Sequence, residues 1–281
     1  MRSPCRSHRA AGRLGARRPP SAGPGRAPAV SGRGLLSDRN DAAPTPPRWG
    51  LGDVWIGLAV AYGAAAVGGA LILALAGQLD AQRTTAELAD DLPLSLVALM
   101  QIPLWAGYLG VPWYAARTKG NGLRRDFHLS MRWIDVPVGL AAGLITQLVL
   151  VPLLYLPALW LTDLDADELS KEAEELTDKA TDPLGVVLLI LIVVVLAPLI
   201  EELFFRGLFQ RATDRRYGTA LSVVFPAVVF GAVHLQPLQF PALVLFGLVA
   251  GLLVARFDRL GPAIWAHVGF NAIAVASLLL G

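Results

Sequence analysis

The chain has 281 residues, of which 54% are hydrophobic and only 16% charged, and 24 basic side chains nearly balance 22 acidic ones. With a mean hydropathy of +0.53 this excludes an ordinary soluble domain and predicts an all-α, polytopic integral membrane helix bundle. The single cysteine, Cys5, excludes an intrachain disulfide.

Residues 1–50 are rich in Arg, Pro, Gly, Ala and Ser and show no helical or strand period, so they read as a disordered basic tail. The stretch up to Ser37 carries no acid, which also resembles an organellar transit peptide as a minor alternative. Hydrophobic segments follow at 53–78, 92–116, 134–161, 183–205, 220–235, 240–255 and 261–280. Each approaches the ~20 apolar residues a helix needs to cross ~30 Å of hydrocarbon, the fifth and sixth being the shortest, so about seven transmembrane helices are expected. We divide the chain into the tail 1–50, an N-terminal set of three spans with an acidic loop over 51–182, and a set of four spans over 183–281.

The loops separate by charge. The tail with 117–132, 206–216 and 256–259 holds every basic residue except Arg83, Lys171 and Lys179, whereas 80–91 and 163–182 are acidic. By the positive-inside rule the N-terminus is cytoplasmic and the C-terminus outside, in the cell membrane, with an organellar membrane as the lesser alternative. Trp55, Trp113, Trp133 and Trp265 fall at inner ends and Trp160 at an outer end, as interfacial anchors do.

The strongly polar groups in the last four spans are Glu201, Glu202, His234, His267 and Asn271, with Arg206 just beyond. Ionised groups at bilayer depth cost on the order of 2.5 to 3.5 kcal/mol on insertion scales, so they are candidates for function. Glu202 and Arg206 are four apart and share a helix face, while Glu201 is turned away by about 100°. Glu202 is then the structural partner of Arg206, and Glu201 the carboxylate free to act as a general base. Pro198 removes the donor to the Val194 carbonyl and is expected to kink the helix there. His267 and Asn271 share one face, as do Phe230 and His234, with Phe230 a candidate wall for the ring. Read by depth alone, the site lies roughly a third of the way in from the inner face.

The three motifs "EELFFR", "FGAVH" and "HVGFN" match E-E-x-x-x-R, F-x-x-x-H and H-x-x-x-N in order. In this the chain resembles the CPBP family of intramembrane proteases, which includes CAAX prenyl endopeptidases and bacteriocin-processing, Abi-type proteins. The resemblance covers the third of the chain from Pro183 to Asn271. It implies peptide hydrolysis near the cytoplasmic face on a membrane-associated peptide or protein, with Glu201 taking a proton from water and His234 holding that water. His267 and Asn271 would stabilise the oxyanion, and Glu202 and Arg206 would brace the site. It also implies a metalloprotease label, with Glu201, His234 and His267 as the zinc ligands of the alternative account. A metal-free glutamate site is favoured, since Glu201 as ligand is poorly placed to be the base. No nucleic-acid partner is expected, and membrane lipid is. The competing readings are a proton- or cation-coupled carrier and a non-catalytic adaptor of the same fold.

Overall fold

The apolar segments become helices because each is long, rich in Leu, Ala and Val, and free of interior charge where it faces lipid. In the computed structural model, which describes residues 46–78, 88, 91–161 and 166–280, no strand occurs among the described residues. In chain order the helices are α1 (Leu51–Leu75), α2 (Leu94–Thr118), α3 (Asp135–Leu161), α4 (Ala166–Asp178), α5 (Pro183–Tyr217), α6 (Thr219–Val233), α7 (Phe240–Phe257) and α8 (Gly261–Leu280), with one extra turn at Leu123–Asp126 before α3. Six of these, all but α4 and α6, are long and apolar enough to span a bilayer, so the chain is an integral membrane protein. The seventh expected span, α6, is a shorter apolar helix of ~22 Å.

The described residues fall within the compact unit Pro44–Gly281. Of the expected tail, residues 1–45 lie outside the described residues, but the last five positions before α1 are ordered against the bundle. Trp49 is buried with its ring 4.8 Å from that of Phe127 and 3.6 Å from the Arg215 guanidinium, and its indole N–H donates to Asp126 at 3.1 Å. The acidic loop is also more than a loop. Leu169, Ala173 and Leu176 recur at helical spacing and turn inward, so that 166–178 folds as α4 while Glu168, Glu175 and Asp178 stay exposed.

Without a hydrophobic force between helices in lipid, close approach comes from small residues. Gly139 and Gly143 on α3 lie against α8: a Cβ added at Gly139 would meet the Pro262 carbonyl at 2.6 Å. Gly247 and Gly251 on α7 do the same toward α6, where a Cβ at Gly247 would sit 2.8 Å from the Ala227 methyl. Those glycines also expose their carbonyls, which accept from Arg206 Nη2 at 3.2 Å and Gln210 Nε2 at 2.9 Å. Two polar rungs therefore tie α5 to α7 below the motif acids.

The basic end of the bundle is closed by ion pairs. Arg211 meets Asp258 at 3.0 Å at the left-handed turn that ends α7, and Arg259 forks onto Asp135 at the foot of α3 with bonds of 2.5 and 3.0 Å. Hydrogen bonding to Asp135 holds Arg259 protonated more firmly than an ordinary arginine.

Candidate active site

The helix that carries both glutamates, α5, is a single rod with two stretches, Ile190–Leu196 and Leu203–Gln210, in the wider π register. Glu202 is fully buried and its Oε1 accepts from Arg206 Nη1 at 3.1 Å, the i,i+4 pair expected from the spacing. The same oxygen lies 2.9 Å from His267 Nδ1, so the imidazole donates to it and its ring is fixed. Arg206 is buried too, its guanidinium carbon 4.7 Å from the Phe230 ring centre, which gives the charge a second, π-type contact. Glu201 behaves differently. Its side chain is 16% exposed where that of Glu202 is 0%, and its Oε2 lies 3.8 Å from His267 Nε2. The two adjacent acids are thus divided: Glu202 clamps an arginine and a histidine, and Glu201 faces open space.

His234 is held by the broken end of α6. A helix ending in hydrocarbon must find donors for its last carbonyls. Here His234 Nδ1 donates to Phe230 O at 2.6 Å, His234 N to Gly231 O at 3.3 Å, and Leu235 N to Ala232 O at 3.2 Å. The last, Val233 O, receives the Tyr62 hydroxyl from α1 at 2.7 Å, and Tyr108 on α2 donates in turn to Tyr62 at 3.4 Å. With Nδ1 spent, the free ring nitrogen of His234 is Nε2, an acceptor. Phe230 is the wall its spacing suggested, with ring centres 4.7 Å from His234 and 5.7 Å from His267.

Asn271 bonds a carbonyl next to the Val194 carbonyl that Pro198 was expected to orphan. In the π register Ala197 N–H bonds Ile192 O, so the next rung would run from residue 198 to Val193 O. Residue 198 is proline and has no N–H. Asn271 Nδ2 supplies the missing donor to Val193 O at 2.8 Å. Val193 O, which Pro198 leaves without a donor in the wider register, is thus met from α8, and one amide hydrogen of Asn271 is committed to it.

Glu201, His234, His267 and Asn271 all line one cavity of about 460 Å³. Tyr62 and Tyr108 line it too, and sequence reasoning missed them. Their signal was available: a tyrosine in an otherwise apolar span carries a hydroxyl that must be satisfied. Glu201 lies ten residues before Arg211, or ~15 Å along the helix. Because α5 runs on to Tyr217 before turning at Gly218, Glu201 and His234 stand almost equally far, ~25 Å, above that turn.

For the zinc alternative, two ligands at ~2.0 to 2.1 Å in a tetrahedron lie closer together than the 3.8 Å between Glu201 and His267. Among the described residues no group of three His, Cys, Asp or Glu side chains converges as a metal-binding set.

Residues 183–273 match the family model described as type II CAAX prenyl endopeptidase Rce1-like. No curated protein and no solved structure matches the chain. The matched third of the chain is the part that holds all three motifs, and with the helical bundle and the paired glutamates around them the match supports a CPBP-family intramembrane protease.

Proposed function

We propose that the protein is an intramembrane endopeptidase that hydrolyses a peptide bond with a water activated by Glu201 and with no metal. The observation that carries this reading is the division of the glutamates: Glu202 spent on Arg206 and His267, Glu201 facing the cavity 3.8 Å from the far nitrogen of the same ring. Water in the cavity gives one proton to Glu201 while its oxygen bonds the scissile carbonyl carbon, and His234 Nε2 accepts the other hydrogen and holds the water in place. The carbonyl oxygen becomes the oxyanion. His267, protonated on both nitrogens, donates Nδ1–H to Glu202 and Nε2–H to that oxyanion, and the remaining amide hydrogen of Asn271 adds a second donor. The tetrahedral centre then collapses, the C–N bond breaks, and the leaving amine takes the proton from Glu201.

The substrate class is a membrane-associated peptide or protein, and the setting is the cell membrane with the N-terminus cytoplasmic. Purified protein with a quenched lipopeptide tests the reading. Glu201→Gln should abolish hydrolysis while leaving abundance and helix content unchanged, and equal turnover in wild type and variant would end the mechanism. One tightly held zinc per chain, with activity lost on chelation and restored by zinc, would instead overturn the metal-free part alone.

A further inference from the structure

We propose that Gln101 on α2 is a substrate-positioning residue, its carboxamide pairing with one peptide group of an extended chain about three residues from the bond that is cut. This rests on the endopeptidase reading above and adds to it a contact from a helix outside the matched segment.

The first observation is an amide with no partner. From Leu96 to Leu104, Gln101 is the one polar side chain of α2. Polar groups at bilayer depth face protein or a cavity, and they commonly hydrogen-bond across helices. Gln101 does the first without the second: it lines the cavity, and among the described residues its carboxamide makes no hydrogen bond. By contrast Gln210 donates to Gly251 O, Asn271 to Val193 O and Gln239 to Leu169 O.

The second observation is the helical register. Gln101, Leu104, Trp105 and Tyr108 recur at three- and four-residue spacing and all line the cavity. Leu99, Ile102 and Trp113, turned away from Gln101 by about 100° or more, are exposed on the outside of the bundle. The amide therefore belongs to the stripe that faces the site.

The third observation is distance. One end of the stripe is fixed at the reacting groups, because Tyr108 rests on the packed aromatic layer of Phe204, Phe205 and Phe209 beneath Glu201, all fully buried. Its ring centre is 4.7 Å from that of Phe204 and 5.7 Å from that of Phe205, one helical turn after Glu201. Its hydroxyl donates to Tyr62, which caps the residue before His234. Seven residues of helix separate Tyr108 from Gln101, a rise of ~10 Å, and an extended peptide covers that length in about three residues at ~3.3 Å each. A chain whose scissile carbonyl meets Glu201 thus brings a peptide group to Gln101.

The chemistry selects the backbone. A carboxamide offers an acceptor and two donors, the complement of a peptide C=O and N–H, and it carries no charge with which to choose a side chain. Much of the remaining wall is apolar, including Leu104, Leu189, Ile192, Val275 and Leu278, so a bound peptide loses water from its backbone and gains from each group that is met. A contact this far from the cut bond is made in the bound substrate and in the transition state alike, so it acts on KM and leaves kcat in place.

Backbone-edited substrates test this. Gln101→Met keeps the length of the side chain and suits an apolar span, so yield and unfolding midpoint should match wild type, with Gln101→Leu as a second variant. The substrates are quenched lipopeptides in which one amide at a time, two to four residues from the scissile bond on either flank, is replaced by an ester, which removes an N–H without adding bulk. In wild type one such ester should raise KM roughly 10-fold with kcat changed less than about twofold. In Gln101→Met the all-amide peptide should already show that raised KM, and the ester should add less than about twofold. Ester penalties equal in wild type and variant, a loss in kcat in place of KM, or failure of both variants to fold overturn the proposal. Binding of the same peptides to Glu201→Gln protein, with and without Gln101→Met, reads the contact without turnover. Peptides that bind with the Gln101-dependent ester penalty but are never cut by wild type sink the endopeptidase reading and leave the contact standing. Hydrolysis with no Gln101-dependent penalty does the reverse, and no binding of any peptide overturns both.

Discussion

At the scale of single residues, the site is an exercise in spending donors and acceptors. Glu202 Oε1 serves both Arg206 and His267, so its loss strands two partners at once. Glu202→Gln is expected to cost about 3 to 5 kcal/mol of stability, since it leaves Arg206 without its counter-charge in a buried place. Thermal unfolding in detergent measures this, and a stability equal to wild type would refute the clamp. Asn271 separates two roles in one side chain. Asn271→Ala removes the donor to Val193 O and should cost about 1 to 3 kcal/mol, together with a loss of up to ~100 to 1,000-fold in turnover if the second amide hydrogen serves the oxyanion. A stability loss with turnover intact would leave Asn271 a helix splice and nothing more. The pairing of Glu202 with Arg206 was legible in the sequence because it follows from helical spacing alone. The capture of Glu202 by His267 was not, because it depends on how α5 and α8 face each other across 65 residues of chain. The Val193 partner was missed for a different reason: an α register was assumed, and π register moves the orphan carbonyl by one.

At the scale of helices, α6 is the informative element. Its 15 residues end at Val233, whose carbonyl is capped by Tyr62 on α1. Tyr62→Phe should loosen the end of α6, seen as faster hydrogen exchange at the His234 and Leu235 amides, and should lower turnover more than it raises KM because His234 is displaced. Unchanged exchange at those amides would show that the hydroxyl holds nothing. Tyr108→Phe should do the same more weakly, since it acts through Tyr62 at 3.4 Å. Six full spans were legible from apolar length, and so was the shortness of this segment. Where its helix ends was hidden, because an apolar run reads the same whether its helix continues or breaks. The α4 helix was hidden by its charge: its inward stripe of Leu169, Ala173 and Leu176 is thin, and six acids in 166–178 dominated the reading.

At the scale of the whole molecule, the motif-bearing third does not stand alone. Phe204 packs its ring 4.7 Å from Tyr108, and α1 lies so close to α5 that a Cβ at Gly57 would meet Phe204 at 2.6 Å. Gly57→Leu should therefore disturb the glutamates from a helix outside the matched segment, with overpacking of about 1 to 3 kcal/mol and reduced turnover together. A variant with wild-type activity and unfolding midpoint would show that α1 is only a lipid-facing neighbour.

The packed aromatic layer beneath Glu201 has one more consequence, for acidity. Among the described residues Phe204, Phe205 and Phe209 are buried between that carboxylate and the basic end, so protons are expected to reach it from the other side of the bundle. The rate should then follow the pH on one side of the membrane and ignore the other. In sealed vesicles of known orientation, stepping the pH on the acidic-loop side should move the rate while a step on the Arg216 side leaves it where it was.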